Sequence, residues 1–126
     1  MRFLKYWLPV IVWAAIILSA SNDRFSATNS RTWLERLLGR DVPHAVNVAF
    51  RKVGHVAVYG VLGALAWRAD RRVAVAMGIS LAVAMMDEGN QAMTVTRSGS
   101  VLDVLLDGVG AGAAVIGLRR WLPPKA

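Results

Sequence analysis

Lys52, His55 and Tyr59 recur at intervals of three and four residues, the spacing that puts side chains on one helical face. Further along, Asp87, Glu88 and Gln91 are followed by Arg97, Ser100, Asp103 and Asp107. Asp87 and Gln91 share a face, Glu88 stands one step around, and Asp103 and Asp107 are one turn apart. An imidazole among carboxylates can take up and return a proton, so His55, Asp87, Glu88 and Asp103 form the candidate catalytic set. Lys52, Tyr59, Gln91, Arg97, Ser100 and Asp107 are candidate ligand-binding groups, with Lys52 and Arg97 suited to phosphate. The same two cations can neutralise two of the carboxylates, because buried charges need partners. There is no Ser-His-Asp order, phosphate loop or Cys/His metal spacing. The spacing therefore assigns no metal site and no cofactor.

The elements that must hold these groups are apolar. Tyr6–Ala20, Val53–Trp67 and Val73–Met86 carry no Asp, Glu, Lys or Arg, and Val101–Leu118 carries only Asp103 and Asp107. A carboxylate near bilayer hydrocarbon costs a few kcal/mol or more, so acids in such segments are candidates for function. The expected fold class is all-α, an integral membrane four-helix bundle within one domain over residues 1–126. Several segments fall short of the roughly 20 residues of a crossing, so their polar ends should complete the spans. Pro43 suits a first-turn position ahead of the second span. Tyr6–Ala20, between a basic start and Ser19-Ala20-Ser21, also fits a signal peptide. Three further apolar segments favour an anchor that stays.

Hydrophobic residues make up 56% of the 126 residues, above the 45–50% usual for soluble domains. The net charge of +7 admits nucleic acid or anionic lipid as partner. Because the basic residues flank apolar runs, lipid is expected and nucleic acid is not. Arg2 and Lys5, then Arg68, Arg71 and Arg72, then Arg119, Arg120 and Lys125 fall on one side of four crossings. The positive-inside rule makes that side cytoplasmic, placing both termini in the cytoplasm of a bacterial inner membrane. The first outer loop carries Arg24, Arg31, Arg36, Arg40, Arg51 and Lys52, which works against this orientation. In that orientation all the polar exceptions converge on the outer leaflet. No cysteine is present, so no disulfide forms. Oligomeric state is not legible.

Ser30–Leu38 reads as a short amphipathic helix in the first outer loop, with Trp33, Leu34, Leu37 and Leu38 opposite Arg31, Glu35 and Arg36. It can lie flat at the membrane interface or cover the outer mouth as a solvated helix. Thr32 and Glu35 have capping-box spacing, and Gly39 or the Asp41–Pro43 turn should end it. Gly60-x-x-x-Ala64 and Gly108-x-x-x-Gly112 are expected packing faces. Trp7, Trp13, Trp67 and Trp121 lie mostly near segment ends, as in an aromatic belt. His44 is expected at the interface.

Four readings of the polar cluster stay open. It can be a structural network locking the helices, or a site for an anionic lipid or lipid-linked precursor headgroup. It can be a hydrolase or transferase centre, with His55 as base and the acids as partners or divalent-metal ligands. A proton or ion path is disfavoured, since the inner half holds no charge.

Two stretches carry a resemblance. One is Arg51-Lys52-Val53-Gly54-His55-Val56-x-x-Tyr59-Gly60-x-Leu62-Gly63-x-Leu65. The other runs from Asp87-Glu88-x-x-Gln91 through Arg97-Ser98-Gly99-Ser100-x-x-Asp103-Val104-x-x-Asp107-x-x-Gly110-x-x-x-Ala114. Together they resemble the VanZ-like family of bacterial membrane proteins over about Arg51–Leu118. Val95-Thr96 departs from the family's usual Pro-Gly, and Asp107 stands where Asn is also common. The resemblance implies functional weight for Lys52, His55, Tyr59, Asp87, Glu88, Gln91, Arg97, Ser100, Asp103 and Asp107. It also implies a cell-envelope role and a link to glycopeptide (teicoplanin) resistance, the property for which the family is named. It implies no particular reaction.

Overall fold

A computed structural model describes residues 1–20, 27–92 and 101–122 of the chain. All of the regular structure in it is helical: α1 (Arg2–Ala20), α2 (Ala27–Leu38), α3 (His44–Asp70), α4 (Val73–Ala92) and α5 (Val101–Trp121). Four stretches are long and apolar enough to cross a membrane: Arg2–Ser19, His44–Asp70, Val73–Asn90 and Val101–Trp121. The chain is thus an all-α, multi-pass membrane bundle. Its surface is inverted relative to that of a soluble protein. Ile11, Ile16, Val61, Met85, Leu105, Val109 and Ile116 are exposed, whereas Asp87, Glu88 and Asp107 are buried. Lipid tails accept the first set, and only the protein interior can accept the second.

The second span is longer than its apolar run. It begins at His44, well ahead of Val53, and its 27 residues extend about 40 Å. Pro43 caps this helix from outside and does not enter the first turn; its carbonyl accepts the Asn47 N–H at 3.1 Å. The other end stops sharply. Arg71 adopts a left-handed conformation (φ 66°), donates its N–H to the Trp67 carbonyl at 2.7 Å, and lays its guanidinium over the Trp67 ring. The chain then turns straight into α4.

α3 and α5 run parallel, since Lys52 meets Asp103 and His55 meets Asp107. α4 runs antiparallel to both, with Asp87 at Tyr59 and Leu81 at Gly108. α1 is antiparallel to α3: Arg68 lies over the Tyr6 ring, and the Trp13 indole N–H donates to the Val58 carbonyl at 3.0 Å. One end of the bundle therefore gathers Arg68, Arg71, Arg72, Arg119 and Arg120, and the polar cluster lies toward the other.

The tightest helix contact is between α3 and α5, where Gly63 and Gly110 join the expected Gly60 face, which lies against Gly110 and Ala114. A Cβ on Gly110 would lie 2.5 Å from the Val56 carbonyl oxygen, and one on Gly63 would lie 2.8 Å from that of Ala111. Gly108 and Gly112 face α4 side chains, Leu81 and Met77, with more room. Small residues allow this approach because dispersion, without any hydrophobic driving force, holds helices together in lipid.

Two further expectations are corrected. Trp67 is 1% exposed and belongs to the core, and Trp13 ties α1 to α3, so neither forms an aromatic belt. Thr32 and Glu35 make no capping box, because α2 starts earlier, at Ala27, and both fall inside it. Glu35 instead pairs with Arg31 at 2.9 Å and accepts the Val42 N–H. Gly39 ends α2 at φ 65°. Leu34 faces inward, Trp33 stacks on Phe50 of α3, and Leu37 and Leu38 remain exposed.

Replacing Gly110 with Ala should force α3 and α5 apart and lower stability by about 1–3 kcal/mol, the usual cost of overpacking. Gly54, whose Cβ would meet nothing within 4 Å, should accept Ala without loss. Thermal unfolding of the two variants in detergent checks the contrast.

Candidate functional site

Helical phase puts His55 and Tyr59 one turn apart on α3, with ring planes 8° from parallel and centroids 6.4 Å apart. Each ring reaches a different neighbour. The Tyr59 hydroxyl donates to Asp87 Oδ2 on α4 at 3.1 Å, with both residues buried. His55 Nδ1 lies 2.9 Å from Asp107 Oδ1 on α5. Two adjacent positions on one helix thus bind two acids on two other helices.

The result is a compact centre. One ring nitrogen of His55 and one carboxylate oxygen each of Asp87 and Asp107 all lie within 4.8 Å of one another. Asp107 is fully buried, and its Oδ2 has no hydrogen-bond partner among the described residues. The His55 side chain keeps 22% of its surface exposed, so the centre has an open edge on that side. Glu88 is buried on α4 beside Asp87.

Asp87 and Asp107 sit five to six residues inside the nearer ends of α4 and α5, a depth of about 8–9 Å. A turn farther out, the Lys52 ammonium lies 4.0 Å from Asp103, a pair that keeps partial exposure. Such a pair stabilises little on its own. Its position makes it the rim of the site, with the His55 triad as its floor.

Of the ten candidate residues, Lys52, His55, Tyr59, Asp87, Asp103 and Asp107 are brought together by direct contacts from three helices. Gln91 lies in the last turn of α4, and its side chain falls outside the described residues, as do Arg97 and Ser100. His44 is exposed at the start of α3. Sequence reasoning missed Asn47, which is buried about two turns before His55. An amide flanked by valines at the start of an apolar helix is the signal that could have marked it. Ser80 is buried too, but its hydroxyl bonds back to the Ala76 carbonyl of its own helix.

An imidazole touching one carboxylate and close to a second can exchange a proton, bind a cation, or simply lock three helices. Comparison with known proteins places the arrangement in a lineage. No curated protein and no solved structure matches the chain. The sequence model of the family described as VanZ/LLP1 matches residues 6–122, taking in most of the first span, all of the other three and every described residue of the polar centre. The chain belongs to the VanZ/LLP1 family.

Proposed function

We propose that this VanZ-like protein resides in the bacterial cytoplasmic membrane and binds or modifies an anionic lipid or lipid-linked envelope precursor at the outer leaflet. The observation that carries the reading is the meeting of His55, Asp87 and Asp107 from three spans at one depth. Groups so costly to place in a membrane mark sites of action. The orientation rests on Arg68, Arg71, Arg72, Arg119 and Arg120 at the opposite end, which the positive-inside rule makes cytoplasmic. Lys52 at the rim, and Arg97 beyond it in sequence, supply the charge a phosphate needs. A site at that depth lies near the lipid-linked precursors of the envelope, which fits a part in glycopeptide (teicoplanin) resistance.

A second reading has its own support. The His55–Asp107 and Tyr59–Asp87 contacts fasten α3 to α5 and to α4, as a purely structural lock would. The protein would then act as an accessory membrane component through partner contacts, without a ligand of its own.

Reporter fusions after residues 28, 70 and 126 should read outside, inside and inside; any other order sinks the outer-leaflet placement. Arg97→Ala and Asp103→Asn should accumulate normally yet abolish activity, and Arg97→Ala, having lost a cation, should bind a short-chain polyprenyl phosphate at least about tenfold more weakly. Degradation of both variants would instead identify the cluster as scaffolding. Tyr59→Phe removes a donor from a buried carboxylate and should cost about 1–3 kcal/mol in detergent unfolding. A His55→Ala protein that retains full activity would favour the accessory reading over any enzyme.

A further inference from the structure

We infer that His55, Asp87 and Asp107 form a site for a divalent transition-metal ion, Mn²⁺ or Zn²⁺, clasped between α3, α4 and α5. Their ligand atoms lie within 4.8 Å of one another. Donors bound at about 2.0–2.2 Å to one ion stand about 3–4.4 Å apart, so small side-chain rotations close the ring.

A second observation points to a cation independently of that spacing. Asp107 is fully buried and its Oδ2 has no hydrogen-bond partner among the described residues, while Oδ1 is engaged by His55. A carboxylate oxygen out of water with nothing to accept from is a costly arrangement. A metal ion supplies what that oxygen lacks. Asp87, Glu88 and Asp107 are all buried, and among the described residues His55 touches Asp107. Lys52 lies farther out, at Asp103. The Tyr59 hydroxyl on Asp87 has the form of an outer-shell donor that orients a ligating carboxylate.

The donor set selects the metal class. One imidazole with two carboxylates, and no thiolate anywhere in the chain, suits Zn²⁺ or Mn²⁺ over soft ions. Three protein ligands would leave coordination positions for other donors. Those positions deepen the proposed function, because a bound dication would give a phosphate headgroup a cation to meet. This link rests on the lipid reading; the metal site itself does not.

Chelator-stripped protein in detergent, titrated with Mn²⁺ under electron paramagnetic resonance and with Zn²⁺ under elemental analysis, tests the site. One ion per chain is expected, with affinity at least about tenfold weaker in Asp107→Asn and in His55→Gln. Fewer than about 0.1 ion per chain, or unchanged affinity in both variants, overturns it. Should the variants fail to fold, the wild-type Tm decides: it rises with Mn²⁺ or Zn²⁺ and falls with chelator if the site exists, and stays put if it does not. Metal binding without polyprenyl phosphate binding keeps the site and removes the lipid reading. Phosphate binding undiminished by chelation does the reverse.

Discussion

A carboxylate withdrawn from water tolerates few kinds of neighbour: a hydrogen-bond donor, a cation, or a proton of its own. Asp107 and Asp87 set that demand in the middle of this bundle, and the surrounding sequence answers it. His55 and Tyr59 reach one acid each because a single helical turn separates them. The alignment works only if α3 and α5 lie close and in parallel. Gly63 and Gly110 provide the closeness at backbone level, and their Cα surfaces leave no room for even one added carbon. Packing and chemistry here are two descriptions of the same contact.

The division of the molecule into a basic end and a polar interior follows from the solvent. Lipid offers no partner to a charged group, so arginines gather where headgroups and water begin. Arg71 illustrates how far that placement is used. It ends α3 in a left-handed turn, which disfavours most side chains, and it offsets the cost by stacking on the buried Trp67 ring. The same residue stops a helix, covers an aromatic core and contributes to the basic edge.

Much of this was legible in the chain. The uncharged run Val73–Met86 marked α4, and the three- and four-residue spacing of Lys52, His55 and Tyr59 marked the face of α3 that meets the acids. What periodicity does not carry is which partner each face finds. That Gly110 meets Val56 of α3 while Gly108 and Gly112 meet Leu81 and Met77 of α4 depends on the angles at which the helices cross. Trp67 misled for a similar reason: its place near a segment end suggested headgroups, but Arg71 folds back over its ring and α3 continues to Asp70. Pro43 marked the start of α3 to within one residue, although polar residues interrupt the apolar pattern of its first turns. The triad of His55, Asp87 and Asp107 has no local signature, since its members come from three helices.

The abrupt turn at Arg71–Arg72 constrains how the centre can move. With α3 and α4 joined by two residues, neither helix can slide along the other, and relative motion reduces to a scissoring about that joint. Asp87 lies about 21 Å from the pivot along α4, so a rotation of about 5° displaces it by about 2 Å. A lever of that length converts a slight splay at the basic end into the breaking or making of the Tyr59–Asp87 contact at the far one.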